Sequence, residues 1–176
     1  MSIHPLFEHD ELLDLVNDND EVIGQKNKSE IYALGIHNFR VINAFLVNDH
    51  GQLWVPRRTA HKKLFPLCLD ASVGGHVQSG ETYQQAFERE LFEELRLLAH
   101  EVSYTHVAYL NPTAHDVSAH MHVYLIKYNQ IPDYNRDDFE SFQWMTISQL
   151  LNAINQGDRI KGDLPAILRV LDSLQI

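Results

Sequence analysis

Three glutamates in one short stretch carry the chemistry of this 176-residue chain. The segment from Thr82 to Leu98 contains no Gly or Pro and is rich in Glu, Leu, Gln, Arg and Ala, which predicts a helix. Glu90, Glu93 and Glu94 then have i, i+3, i+4 spacing and share one stripe. At about 100° per residue, Phe87, Leu91, Leu95 and Leu98 fall within one arc, the core face. Glu94 falls between Tyr83 and Phe87, on the apolar side of the helix. Clustered carboxylates repel, by about a few tenths of a kcal/mol per pair in water and by more when desolvated. A hard divalent cation, Mg²⁺ or Mn²⁺, is the natural counter-charge for such oxygens. A solvated acidic face is the alternative, and the segment in front of the helix decides between them.

From Gly75 the chain runs Gly-His-Val-Gln-Ser-Gly-Glu81, then seven residues, then Arg89-Glu90-Leu91-Phe92-Glu93-Glu94-Leu95. This resembles the Nudix box: a Gly, five residues, a Glu, seven residues, then Arg-Glu-apolar-x-Glu-Glu-x-Gly-apolar. All six fixed positions through Glu94 match, a coincidence on the order of one in 10⁵ for average composition. The resemblance implies a metal-dependent hydrolase that attacks a diphosphate linkage with water. Gly75, Glu90, Glu93 and Glu94 would hold Mg²⁺ or Mn²⁺. Glu81 and Arg89 would pair behind them and orient the carboxylates. The catalytic set is Glu90, Glu93 and Arg89, with the base drawn from Glu90 or Glu93. One position departs: the closing Gly is Arg96, which would let the helix run another turn, while Leu97 keeps the apolar residue after it.

A second resemblance covers most of the chain. Arg57-Arg58-Thr59-Ala60-His61-Lys62-Lys63-Leu64-Phe65-Pro66 is similar to a segment of type I isopentenyl-diphosphate isomerases, which share the Nudix fold. That likeness makes Arg58 and Lys62, with Arg57 and His76, the candidates for holding substrate phosphate. The isomerase chemistry itself is missing. Its catalytic cysteine would fall at Gly74, and the single cysteine, Cys68, lies six residues earlier. Its Glu-x-Glu motif has no counterpart near Val117 to His122, and Glu90 stands where the bacterial isomerase has Arg. A nucleotide- or diphosphate-binding sensor without turnover is the remaining alternative to hydrolysis. His115, His120 and His122 form a second cluster, but a zinc site would need ligands and supporting partners that the sequence does not supply.

The elements that must position these groups follow from pattern. Leu12 to Val16 and Glu21 to Gly24 flank the polar turn Asn17-Asp18-Asn19-Asp20 and predict an N-terminal hairpin. Val41 to Val47 and Gln52 to Val55 flank a Gly-ended turn and predict another. Leu69 to Val77, Ser103 to Leu110, His120 to Tyr128 and Phe139 to Met145 read as strands; Ile147 to Gln156 and Leu164 to Leu174 read as helices. Interleaved strands and helices give an α/β domain. By resemblance it is a Nudix-type α/β/α sandwich around a mixed sheet over residues 36–176, preceded by an acidic hairpin extension over 1–35. The resemblance also implies a homodimer, with that hairpin as the candidate contact.

The charge balance is consistent with this. Fourteen basic against 24 acidic residues give −10, which excludes a general nucleic-acid binder. Of the acids, seven lie in residues 8–21, six in 81–101 and four in 133–140. Much of the deficit is therefore local, and Arg57, Arg58, Lys62 and Lys63 form a basic patch. One cysteine excludes a disulfide framework. No apolar run reaches the ~20 residues of a membrane span, and Met-Ser-Ile-His-Pro has no signal-peptide pattern. The expectation is a soluble, cytoplasmic protein acting on a small diphosphate, with no nucleic-acid or membrane partner.

Overall fold

Alternation within one apolar run builds the centre of the molecule. In β3 (Arg40–Val47), Ile42, Ala44 and Leu46 face one layer of helix while Phe45 faces the other. A strand buried on both sides is apolar nearly throughout, and the five residues from Ile42 to Leu46, among which Asn43 is the one polar side chain, are almost wholly buried. The fold is a computed structural model that describes residues 10–175. Residues 1–9, including Glu8 and the Met-Ser-Ile-His-Pro start, and residue 176 lie outside the described residues.

β3 pairs in parallel with β7 (His120–Lys127), which pairs antiparallel with β6 (Ser103–Leu110). At its C-terminal end β3 meets β4 (Leu53–Arg58), which carries β8 (Phe139–Met145) on its other edge. Along Val41 to Ala44, β3 also pairs with the short β5 (Val73–His76). Only these four residues of the expected strand Leu69 to Val77 form a ladder. The sheet is mixed, as expected, and has six strands.

α2 (Tyr83–Leu95) covers one face through Ala86, Phe87, Leu91 and Leu95, all fully buried. Each large side chain there contributes roughly 1.5–3 kcal/mol of burial. α4 (Ile147–Asn155) and α5 (Leu164–Ser173) cover the other face through Leu150, Ile167, Leu168 and Leu171. The short α3 (Pro112–His115) leads into β7.

Before the sandwich, β1 (Leu12–Val16) and β2 (Val22–Asn27) form the expected antiparallel hairpin. It is followed by α1 (Lys28–Leu34), which the sequence reading did not anticipate. Its signal was present: Asn27 caps the helix, Glu30 returns a bond to the Asn27 N–H at 3.3 Å, and Gly35 ends it at φ 62°. This is a capping box closed by a left-handed glycine. Leu13 and Ile31 share a small core with Phe39 and Ala119, so residues of the N-terminal segment pack directly against the sandwich.

Candidate active site

The loop from Gly75 to Glu81 and the first turns of α2 are tied together before any ligand is considered. Thr82 caps α2, accepting from the Gln85 N–H at 3.2 Å while Gln85 accepts from the Thr82 N–H at 2.8 Å. Arg89 reaches back from the helix and donates to both oxygens of Glu81, at 2.8 and 2.9 Å, and to the His76 carbonyl at 2.9 Å. Glu81 in turn accepts from the Gln78 N–H. The expected Glu81–Arg89 pair is thus present, as a two-pronged bond of the stronger, charge-assisted kind.

Arg89 also donates to Glu90 at 2.6 Å. Glu90 is buried and packs so closely over Gly75 that a Cβ there would lie 2.6 Å from its Cγ, and nearer still to its carboxyl. Glycine at 75 is therefore a requirement of space, since its φ is outside the left-handed region. Glu94 is buried too and accepts from the Gly74 N–H at 2.9 Å. Burial drives the Glu90 carboxyl up to about 7 despite Arg89 beside it. Glu94 is raised well above the ordinary range by burial and by the neighbouring Glu90. Arg89 compensates Glu90 only, Glu94 has no ion-pair partner among the described residues, and oxygen donors of this kind suit a divalent ion.

Glu93 stands apart from them. Its side chain is 56% exposed and lies 3.6 Å from Arg89. Among the described residues, no three His, Cys, Asp or Glu side chains are gathered closely enough to hold one ion. A three-carboxylate site would need Glu93 to turn inward.

These groups line a cavity of about 710 Å³. Arg58, Lys62 and His76 line it as well. Arg58 directs its donors at Asp70, at 2.9 Å, and at the carbonyls of Leu64 and Phe65. Lys62 pairs with Asp138. The placement of Arg57 departs from expectation. It is not on the cavity; it forks onto Asp158 at 3.0 and 2.9 Å and bonds the Leu67 carbonyl, because alternate residues of β4 point to opposite sides. His76 is stacked on Phe39, with Nε2 3.0 Å from the Tyr32 hydroxyl, and burial lowers its pKa well below the usual value.

The departure at Arg96 also resolves differently from expectation. α2 ends at Leu95, and Arg96 itself takes the left-handed cap at φ 56°, donating its N–H to the Phe92 carbonyl at 3.0 Å. The helix stops where the box glycine would stop it, because the αL-cap bond and the turn into Leu97 outweigh a strain of roughly 1 kcal/mol. The histidine cluster does not converge: His120 meets the Tyr109 hydroxyl at 2.7 Å, His122 stacks on Tyr83 at 3.7 Å, and His115 accepts from the Asn111 N–H.

Several contributors were not legible in the sequence. Asp14 on the hairpin accepts from Ser79 Oγ and the Gly80 N–H, clamping the loop before α2. Burial would raise the Asp14 carboxyl, and those bonds hold it lower instead. α1 lines the cavity through Ile31 and Tyr32, and Lys161 lines it as well. A polar loop residue such as Lys161 carries no periodic or motif signal.

Helices on both sides of a mixed sheet, with a glycine strand and a carboxylate helix at one cavity, define a Nudix-fold enzyme. The NUDIX domain family model matches residues 37–163, and the chain belongs to the Nudix hydrolases. It is 50% identical over 160 residues to a Nudix hydrolase of Nostoc sp., spanning 91% of this chain and 95% of that one. A crystal structure from Deinococcus radiodurans superposes with a TM-score of 0.87 at 45% identity, covering 90% of this chain and 98% of that one. An isopentenyl-diphosphate Delta-isomerase of Klebsiella pneumoniae is 28% identical over 144 residues, 80% of this chain and 78% of that one. Among the described residues, no helix is long and apolar enough to cross a membrane.

Proposed function

We propose that this hydrolase cleaves a diphosphate linkage in a nucleoside diphosphate derivative or related small molecule, with Mg²⁺ or Mn²⁺ held by Glu90, Glu93, Glu94 and the Gly75 carbonyl. The observation that carries the reading is the buried Glu90–Glu94 pair, packed against Gly74 and Gly75 of β5 on the cavity. When bound, the ion would neutralise phosphate charge and make a water more acidic. Glu81 and Arg89 fix the carboxyl of Glu90 in place. Glu93 is the most exposed of the three carboxylates, and we assign it the proton of the attacking water; Glu90 already has one oxygen committed to Arg89. Isomerase chemistry is disfavoured on space as well as on sequence. A side chain at Gly74 would meet Asn43 Oδ1 and Lys161 Nζ at 3.2 Å, and Cys68 is buried away from the cavity.

The test is a panel of nucleoside di- and triphosphates, dinucleotide polyphosphates, sugar nucleotides and prenyl diphosphates, scored for phosphate release with Mg²⁺, Mn²⁺ or EDTA. Glu90→Gln and Glu94→Gln should each lose about 10²-fold or more in kcat/KM. Full metal-dependent turnover by either variant would remove the site assignment. Ligand-induced thermal stabilisation without turnover anywhere in the panel would favour the sensor.

A further inference from the structure

We infer that Lys161, on the loop between α4 and α5, is the cation that holds the substrate's diphosphate at the carboxylate pair. The inference rests on the proposed hydrolase reading for its substrate, and on geometry for its residue.

Five lysine and arginine side chains line the cavity, and four are already engaged. Lys28 pairs with Glu11 and Lys62 with Asp138. Arg58 spends its donors on Asp70 and two carbonyls. Arg96 is turned back over Phe92. Lys161 is different. Its ammonium has one ion-pair partner among the described residues, Asp70 at 3.3 Å, and that carboxylate is already satisfied by Arg58 at 2.9 Å and the Ala71 N–H at 2.8 Å. One carboxylate shared by two cations leaves the Lys161 ammonium only partly compensated by Asp70.

Its position is also the relevant one. Lys161 Nζ lies 3.2 Å from where a Cβ on Gly74 would stand. The N–H of that same glycine bonds Glu94, and the next residue, Gly75, lies beneath Glu90. The ammonium is thus beside the glycines against which both carboxylates pack, and it forms no ion pair with either of them among the described residues. The loop that presents it is anchored rather than loose: the Lys161 N–H donates to the Leu69 carbonyl at 3.0 Å, and Ile160 bridges to Leu69. A fixed backbone with an underused ammonium suits an anionic ligand. An ammonium binds phosphate as a compact point charge with three donors. In a partly desolvated cavity, that attraction exceeds the same contact in water.

The test compares wild type, Lys161→Gln, Lys161→Arg and a charge-matched control, Lys127→Gln, on the exposed end of β7. Affinity for inorganic pyrophosphate is measured by calorimetry in EDTA at about 20 and about 300 mM NaCl, since screening weakens exposed charge pairs. KM and kcat follow with Mg²⁺ and the best substrate of the panel. Lys161→Gln should weaken pyrophosphate binding about 10- to 100-fold, raise KM in parallel and flatten the salt dependence. Lys161→Arg should recover most of the affinity, and Lys127→Gln should behave as wild type. Independently of any variant, pyrophosphate should slow acetylation of Lys161 in the wild-type protein, read by mass spectrometry, and leave Lys127 unchanged. Wild-type affinity in Lys161→Gln, or equal labelling of Lys161 with and without pyrophosphate, overturns the inference. If the wild type binds pyrophosphate through Lys161 yet hydrolyses nothing in the panel, the hydrolase reading fails and the Lys161 assignment stands.

Discussion

Replacing Gly75 with alanine separates the role of space from the role of charge. The added methyl would sit 2.6 Å from Glu90 Cγ and closer to its carboxyl carbon, where ordinary contact begins near 3.4 Å. Cγ must therefore retreat by about 0.8 Å and the carboxyl by more than about 1 Å, beyond the tolerance of a positioned catalytic group. A displacement of that size costs about 10²-fold in rate, equivalent to about 2.7 kcal/mol of transition-state stabilisation.

The stability consequence runs the other way. Burial holds the Glu90 carboxyl at about 7, so its ionised form is disfavoured where it sits. Swinging it toward the cavity relieves that penalty and offsets the steric cost. Gly75→Ala should thus change Tm by no more than about 4 °C while kcat/KM with Mg²⁺ falls about 10²-fold. In a Glu90→Ala background the same substitution should be neutral in Tm, because the space it needs has been vacated. Activity within about threefold of wild type would show that Glu90 is not the group whose position matters. Loss of folding in the Glu90→Ala background would show that Gly75 serves a packing need beyond Glu90.

Other substitutions probe the surroundings. Arg57→Met should cost about 1–2 kcal/mol of stability in urea titration and leave KM unchanged, because the Arg57–Asp158 fork lies off the cavity; a several-fold rise in KM would return Arg57 to the site. Arg96→Gly should stabilise by about 0.5–1 kcal/mol by relieving the left-handed cap, whereas Arg96→Val should destabilise by at least as much; the reverse order in thermal melts refutes the assignment. Burial and the neighbouring His106 lower His122 to about 4. The unfolded chain therefore binds more protons between pH 4 and the ordinary value of 6.5, so this group's contribution to stability rises with pH across that window and is lost as pH falls through it. His122→Phe, which keeps a ring against Tyr83, should lose less stability than wild type between pH 7 and pH 5; equal losses in urea midpoint would show that the buried imidazole is not responsible.

The sequence alone determined the parts of this protein whose physics is local or periodic. The core arc of α2 could be placed because Phe87, Leu91 and Leu95 recur at helical spacing and are buried as that spacing demands, whereas Leu98, expected on the same arc, lies beyond the end of the helix and is exposed. The mostly apolar run from Val41 to Val47 and the turn residues after it located the central strand pair. The carboxylate set was legible because Gly75, Glu81, Arg89, Glu90, Glu93 and Glu94 lie within 20 residues of one another, so short-range geometry relates them. Even α1 had a readable signal in Asn27 and Glu30.

Tertiary structure decided whatever depends on contacts distant in sequence. Arg57 and Arg58 are adjacent and chemically identical, yet the pleat sends one to Asp158 and the other to Asp70. Arg96 ends a helix in a conformation that its type disfavours, because the chain beyond it must turn. Asp14 and Ser79 meet across 65 positions, and Lys161 stands beside Gly74 across a longer gap. No residue type or spacing announces such meetings. They arise when the sheet brings β5 against β3 and the loop before α5 is pinned to Leu69, which places a lysine over the glycine next to the carboxylates.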